Sequence, residues 1–281
     1  MLLAAAIGGI GFVSMKYLLD GGFTSVQIIA GRFLVAVVCM NLFYWKECKK
    51  ISHGEWKAGG ILGGLLFLLF ILMTIGLKYT TPSINAFLTN TPAVMVPFIS
   101  WFLLHKRPDK FSFLGAGLTF FGVALLSVAE DLSIHMGAIL SLGAAFAFAL
   151  QMAVMGEYVQ KYNPIRLALV ENMTVFLLAG LVAMFGEPFP MISKGAVVNF
   201  LILGVFCTAI YFALQSVGQQ DTTASKTAII ITSESVFAAL VAAVVYGERL
   251  TARGYFGCMI IFLSIILAEV KPTIKSGTNH S

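Results

Sequence analysis

The ionisable side chains inside long apolar stretches are the residues of this chain that could do chemistry. Glu234 carries a carboxyl group that could bind a proton or a cation, and Arg32 and Glu171 place opposite charges inside other apolar stretches. Lys16 and Lys226 lie about one turn from the ends of their stretches, where a long lysine stem can reach lipid headgroups. A charge at the centre of a bilayer costs roughly 3 kcal/mol on insertion scales, so the three deeper groups are the candidates for a functional site.

Glu234 lies in the most polar run of any apolar stretch. Thr232, Ser233 and Ser235 flank it, and it follows Thr223 by eleven residues. At about 1.5 Å per residue the carboxyl lies roughly 16 Å along a helix, near the midplane of a bilayer. It could bind a coupling proton, pair with a cationic substrate, or form an ion pair that only joins two helices.

Arg32 and Glu171 occupy matching positions when IIAGRFL (28–34) is aligned with LALVENM (167–173). The alignment places opposite charges near opposite faces of the membrane. The two residues could act as gates, as partners of Glu234, or, for Arg32, in a helix-packing ion pair.

The fourth apolar stretch is rich in amides and prolines. Asn85 and Asn90 could line a polar path together with Tyr211 of a later stretch, or could only join helices. Pro92 and Pro97 predict kinks, because proline frees backbone carbonyls in a helix.

Composition predicts an integral membrane protein. Of 281 residues, 59% are hydrophobic and 11% charged, whereas soluble domains carry about 25% charged residues. Ten stretches approach the roughly 20 apolar residues that a spanning helix needs. They are 2–19, 24–45, 57–79, 81–104, 111–128, 135–156, 164–185, 196–217, 223–245 and 251–270.

The chain contains an internal repeat. Gly76–Val128 and Gly218–Val270 align without a gap at an offset of 218 − 76 = 142 residues. The repeat predicts two halves, 1–133 and 134–270, followed by a polar tail, 271–281. Pro92 is the repeat equivalent of Glu234, so we expect the two positions to face each other across a central cavity.

Loop charges predict the orientation. With the amino terminus inside, eleven basic residues lie in inner loops and four in outer loops, which places both termini in the cytoplasm. The inner set is Lys46, Lys49, Lys50, Lys57, Lys106, Arg107, Lys110, Lys161, Arg166, Lys271 and Lys275. Five helices per half then invert the second half, which gives an all-α fold of two inverted five-helix repeats. The same pattern argues against nucleic-acid binding.

Four segments of the sequence resemble those of a known family. GGIGFVSMKYLL, IIAGRFLVA and the first repeat copy resemble the first half of an EamA-type member of the drug/metabolite transporter superfamily, and GERLT (247–251) resembles part of its second signature. The resemblance implies a ten-helix carrier of the inner (plasma) membrane that exports amino acids, other small metabolites or drugs.

The sequence therefore predicts a secondary active transporter that moves a small metabolite, outward, by alternating access. The expected partners are a small-molecule substrate, membrane lipids, a coupling proton and, as one arrangement, a second copy in a homodimer. A passive channel or a lipid scramblase is the alternative. We expect no enzyme activity, cofactor or metal, because no catalytic triad, metal cluster or nucleotide motif is visible.

Overall fold

A computed structural model describes residues 2–104, 110–127, 136–186, 188–221 and 224–269, and every regular element in these ranges is helical. The helices are α1 (Leu2–Asp20), α2 (Ser25–Phe43), α3 (Trp45–Cys48), α4 (His53–Lys78), α5 (Pro82–Thr89), α6 (Pro92–Leu104), α7 (Lys110–Ser127), α8 (Met136–Tyr158), α9 (Pro164–Met184), α10 (Lys194–Leu201), a π-helical segment (Ile202–Ile210), α11 (Tyr211–Asp221), α12 (Ala224–Tyr246) and α13 (Ala252–Glu269).

The chain is a multi-pass membrane protein by the length and composition of its helices. Each predicted stretch lies on one helix or on consecutive helices. In the described residues, six helical segments are long and apolar enough to cross a membrane, and two shorter apolar segments occupy Ile230–Tyr246 and Ala252–Ser264. Ten spans therefore remain a prediction. Both chain ends, Met1 and 270–281, lie outside the described residues.

The fourth predicted stretch is two helices rather than one kinked helix. α5 ends before Asn90, and Pro92 is the first residue of α6, so Pro92 begins a helix where a kink was expected. Pro97 lies inside α6, and the kink expected there stays a prediction. The backbone N–H and the hydroxyl of Thr91 both donate to the carbonyl of Leu88, which has lost the N–H that a residue other than proline would supply at position 92.

The eighth predicted stretch contains the π-helical segment between α10 and α11. Thr208 donates its hydroxyl to the carbonyl of Leu203, five residues earlier, at 2.7 Å. Such wide turns are frequently found at functional sites.

Two of the basic segments predicted to lie inside, 46–50 and 161–166, meet at one end of the bundle, which we call the basic face. Arg166 Nε lies 2.9 Å from Glu47 Oε2, and its Nη1 lies 3.5 Å from Glu55 Oε1. The hydrogen bond from Arg166 holds the pKa of the Glu47 carboxyl below its ordinary value. Ser52 and Glu55 also form a capping box that begins α4. Ion pairs and caps thus join α3, α4 and α9 at this face.

The opposite end carries the turn between α12 and α13, and we call it the Glu248 face. Gly247 adopts φ +63°, a left-handed conformation that suits glycine, at the start of this turn. Glu248 Oε2 accepts a hydrogen bond from the backbone N–H of Ser83 at 3.4 Å. The carboxylate lies at the start of α5, where the helix dipole favours negative charge.

Small residues allow the closest helix contacts. A Cβ on Gly63 of α4 would lie 2.8 Å from the carbonyl oxygen of Glu171 on α9. A Cβ on Gly204 of the π-helical segment would lie 2.8 Å from the carbonyl oxygen of Arg32 on α2. These two contacts fix the backbones of α2 and α9, and hence the positions of Arg32 and Glu171, against neighbouring helices.

Candidate functional site

A small internal cavity lies where the candidate polar residues converge. Helices α1, α2, α4, α5, α8, α11 and α12 and the π-helical segment contribute to its lining. The space open to the centres of water molecules is about 40 Å³. At roughly 10–15 Å³ per water, this volume holds a few waters but no metabolite, so the cavity is contracted in this conformation. Its lining comprises Gly8, Gly11, Phe12, Met15, Arg32, Leu69, Phe70, Met73, Thr89, Asn90, Phe148, Cys207, Tyr211, Phe212 and Glu234.

Glu234 places its carboxyl in this cavity. The residue is 8% exposed, and its Oε2 accepts a hydrogen bond from the phenol of Tyr211 at 3.1 Å. α1 makes room for it with glycine: a Cβ on Gly8 would lie 2.6 Å from the carboxyl carbon of Glu234. Among the described residues, Glu234 forms no ion pair.

Arg32 lies in the same cavity and is held by neutral groups. Its Nε donates to the hydroxyl of Thr208 at 2.9 Å, and its Nη2 donates to the carbonyl of Cys207 at 2.8 Å. The guanidinium carbon lies 4.3 Å from the ring centroid of Phe70, within the range of a cation–π interaction. No carboxylate within the described ranges lies at ion-pair distance from Arg32. Within these ranges the Arg32 guanidinium is a buried cation without an ion-pair partner, and such a cation can attract an anion.

Asn90 contributes an amide at the break between α5 and α6. The backbone carbonyl oxygen of Asn90 accepts a hydrogen bond from the hydroxyl of Thr232 at 3.3 Å. The side-chain Nδ2 is buried without a hydrogen-bond partner. The neighbouring hydroxyl of Thr89 is also unpartnered. Buried polar groups are normally paired, so these two side chains offer hydrogen bonds to whatever occupies the cavity.

The remaining candidates lie elsewhere. Asn85 donates to Ser141 at 2.8 Å and to the carbonyl of Met73 at 3.2 Å, and so joins α5 to α8 and α4 away from the cavity lining. Pro92 does not line the cavity. The residue near it that contacts α12 is Asn90, whose backbone carbonyl accepts a hydrogen bond from Thr232. Glu171 accepts from Gln151 at 2.7 Å and is also absent from the lining.

The two lysines lie near helix ends. Lys16 forms an ion pair with Asp20 at 2.9 Å, near the end of α1. The side chain of Lys226 falls outside the described part of the chain.

Sequence reasoning missed most of the cavity wall. Gly8 and the aromatic side chains of Phe12, Phe70, Phe148 and Phe212 were not candidates, because phenylalanine and glycine occur throughout the apolar stretches. No local pattern separates those that face the cavity from those that face lipid.

The arrangement offers recognition groups of three kinds. The carboxyl of Glu234, the guanidinium of Arg32 and the amide of Asn90 line a cavity whose wall also contains aromatic rings. Such a cavity suits a small molecule with both polar groups and an apolar body. No group of three or more potential metal ligands among His, Cys, Asp and Glu occurs in the described residues.

Comparison with known proteins assigns the family. The model of the EamA-like transporter family matches residues 1–128 and 135–269. The chain belongs to the EamA-like transporter family. It is 31% identical over 271 residues to an "Uncharacterized transporter" of Archaeoglobus fulgidus, a match that covers 96% of this chain and 85% of the relative.

Other relatives agree. The chain is 26% identical over 265 residues to the "Uncharacterized transporter YvbV" of Bacillus subtilis, covering 89% of this chain and 82% of that protein. A solved crystal structure superposes with a TM-score of 0.70 at 15% identity, covering 95% of this chain and 97% of the other, and so shares the fold. The resemblance predicted from the sequence motifs is confirmed, and this EamA-family chain is a transporter.

Proposed function

We propose that this transporter is a secondary active exporter that moves a small amphipathic metabolite by alternating access around the central cavity, with Glu234 as the coupling carboxyl. The observation that carries the proposal is Glu234 itself. It is a buried acid without an ion-pair partner among the described residues, bonded to Tyr211 and sharing a contracted cavity with Arg32 and Asn90. An acid inside the membrane is costly to bury, so its presence there supports a functional role.

Two inverted five-helix repeats would provide the alternating motion. Thr232 donates to the carbonyl of Asn90, and these positions are repeat equivalents, since 90 + 142 = 232. Equivalent residues can meet in this way on a two-fold pseudo-symmetry axis. The contact supports an axis that passes through the cavity wall.

Contacts between α7 and α13 support the same axis. Thr119 and Ser264 share a hydrogen bond, and a Cβ on Gly122 would meet Ile261 Cγ1 at 2.7 Å. Adding the repeat offset turns residue 119 into 261 and residue 122 into 264, because 119 + 142 = 261 and 122 + 142 = 264. Each of the two contacts is therefore the repeat equivalent of the other. The helix ends also favour inversion: α1 ends beside Tyr246 at the Glu248 face, whereas Tyr162, just after α8, packs against Gly54 at the basic face.

The proposed orientation follows from the basic face. Cytoplasmic loops carry an excess of Lys and Arg, so the loops around Arg166 would lie in the cytoplasm, with both termini on that side of the plasma membrane. The substrate would then enter between helix ends at the basic face and leave at the Glu248 face.

The contacts of Glu234 support a role in proton coupling. When the carboxyl is neutral, it can keep the hydrogen bond from Tyr211 and remain in the closed cavity. When it is ionised, it attracts Arg32 or a cationic substrate group more strongly, because charges interact more strongly in a low-dielectric site. Proton binding would thus compete with substrate binding, which is the requirement for exchange.

Proteoliposomes test the proposal. Purified protein is first screened against a metabolite library by thermal shift, because a bound ligand stabilises the folded state. Compounds that stabilise it are then added to vesicles that contain a pH-sensitive dye. We expect metabolite-driven proton flux in the wild type and its loss in Glu234→Gln, with Asn199→Gln outside the cavity as the matched control. Unchanged flux in Glu234→Gln contradicts the coupling role.

The rival functions give different outcomes. A channel would equilibrate the metabolite but never accumulate it against its gradient. A scramblase would move fluorescent lipid between leaflets without any metabolite. Either result, together with no proton-driven accumulation, overturns the secondary-transport proposal.

A further inference from the structure

Glu171 is a second intramembrane carboxyl that the central cavity does not explain. It is fully buried in α9, and its Oε1 accepts a hydrogen bond from Gln151 Nε2 of α8 at 2.7 Å. Its Oε2 is buried without a hydrogen-bond partner. An isolated carboxylate in such a site is far more costly than a neutral carboxyl, so the environment favours a bound proton.

The charged and titratable groups around α9 leave Glu171 without an ionic partner in the described part of the chain. Arg32 on α2 is bonded to Thr208 and Cys207, and Arg166, at the start of α9 itself, is bonded to Glu47 and Glu55. Tyr211 on α11 bonds to Glu234. The other such groups on the elements packed against α9 are Cys39 on α2, Lys46 and Cys48 on α3, His53, Lys57 and Lys78 on α4, Glu157 and Tyr158 on α8, and Asp221 on α11.

A line of buried polar side chains runs along α11 from the central cavity towards the basic face. Tyr211, Gln215 and Gln219 follow each other at four-residue spacing, so they lie on one face of the helix. All three are at most 4% exposed. Gln215 Nε2 donates to Gln151 Oε1 at 3.4 Å, which connects this line to Glu171.

Several oxygen atoms along this line have no partner. Gln215 Oε1, Gln219 Oε1 and the hydroxyl of Ser216 are buried and unpaired, as is Glu171 Oε2. Native proteins leave few such atoms unsatisfied, and internal water commonly supplies the missing bonds. Three of these four atoms lie in α11, which leads to the aqueous basic face, where Gln160 Nε2 donates to the carbonyl of Gln220 at 3.2 Å.

We propose that Glu171 is a second proton-binding site, reached from the basic face through the line of Gln219, Gln215 and Gln151. A proton from water at that face forms an O–H bond with Glu171 Oε2, and the same bond breaks when the proton returns. The proposal rests on the proposed function, since a second proton site serves a coupled carrier. Glu171 would add a proton to the one that Glu234 exchanges.

Infrared spectroscopy tests the site without any transport measurement. Protonated carboxyls absorb through their C=O stretch, and the band shifts when H₂O is replaced by D₂O. In wild-type protein at neutral pH we expect a protonated-carboxyl band that Glu171→Gln removes. Glu157→Gln, at an exposed position of α8, should leave that band in place.

Two further variants keep the test decisive if Glu171→Gln fails to fold. Gln151→Met removes the hydrogen bond to Glu171 Oε1, so the band should shift to higher frequency without disappearing. Gln215→Leu should slow the deuterium shift of the band, whereas Asn199→Leu, whose amide bonds within α10, should not.

The outcomes separate this inference from the proposed function. A spectrum that neither Glu171→Gln nor Gln151→Met changes overturns the second proton site, whatever Glu234→Gln does to transport. A sodium-dependent band loss would also overturn it, because sodium would then occupy the site. If the Glu171 band is present while no metabolite drives proton flux, the proton site stands and the coupled-transport proposal fails.

Discussion

Two adjacent glycines of α1, Gly8 and Gly9, should respond differently to substitution by alanine. A Cβ on Gly8 would lie 2.6 Å from Cδ and 2.7 Å from Oε1 of Glu234, the end of a flexible side chain beside a cavity. A Cβ on Gly9 would lie 2.7 Å from the backbone nitrogen of Ala238 and 2.9 Å from the carbonyl oxygen of Glu234. The first neighbour can move, whereas the second belongs to the backbone of α12.

The magnitudes follow from these contacts. Gly8→Ala should cost about 1 kcal/mol for the displaced hydrogen bond between Tyr211 and Glu234. It should gain about 1 kcal/mol in helix propensity, so stability changes little. Gly9→Ala gains the same propensity, but forcing α1 from α12 costs roughly 2–3 kcal/mol of overpacking. We therefore expect a net destabilisation of about 1–2 kcal/mol.

Thermal unfolding in detergent, combined with the proteoliposome assay, measures both effects. Gly8→Ala should unfold with the wild type yet lose metabolite-driven proton flux, because Glu234 has moved. Gly9→Ala should unfold at lower temperature. Gly60→Ala, whose Cβ would meet no atom within 4 Å, is the control. Equal destabilisation by Gly8→Ala and Gly9→Ala would refute the reasoning, since it would mean that the Glu234 carboxyl cannot yield.

Two other predictions concern helix contacts. Because the pKa of Glu47 is lowered by the hydrogen bond from Arg166, its contribution should be complete above its unfolded pKa of about 4.3 and vanish as the pH falls through the lower folded value. Melting curves of the wild type and Glu47→Gln should therefore differ at neutral pH and converge in strong acid, and a constant difference would contradict this. Gly63→Ala and Gly204→Ala should each destabilise the protein by about 1–3 kcal/mol, because each Cβ meets a backbone carbonyl. Chemical unfolding measures the free energy of unfolding of both variants. A similar decrease in the two variants would support the equivalence of the two contacts, whereas a decrease in one variant alone would contradict it.

The helices were predictable because the bilayer sets their length. Roughly 20 apolar residues are needed to span it, and the predicted 164–185 and 223–245 correspond to Pro164–Met184 and Ala224–Tyr246. The depth estimate for Glu234 also led to the cavity, where Tyr211 donates to its carboxyl. Distance along a helix follows directly from residue number.

Rotation about a helix axis was not predictable in the same way. Asn85 and Asn90 are five residues apart on the same predicted stretch, yet Asn85 bonds to Ser141 while Asn90 lines the cavity. At 3.6 residues per turn, five residues rotate the side-chain direction by roughly 140°, so the two amides point to different faces of α5. In an apolar chain, moreover, both the core and the lipid accept the same side chains, so amphipathic patterning does not report which face is inside.

The alignment of Arg32 with Glu171 rested on short matching segments, and the packing gives it a physical basis. Gly63 meets the carbonyl of Glu171, and Gly204 meets the carbonyl of Arg32, at the same distance for an added Cβ. Each charged residue is thus placed by an equivalent glycine contact, but the surroundings then differ. The π-helical segment turns the hydroxyl of Thr208 and the carbonyl of Cys207 towards Arg32 in the cavity. The regular helix α4 offers Glu171 no such groups, which leaves the carboxyl to Gln151. One contact geometry in two different settings would produce a substrate-facing cation and a separate proton site.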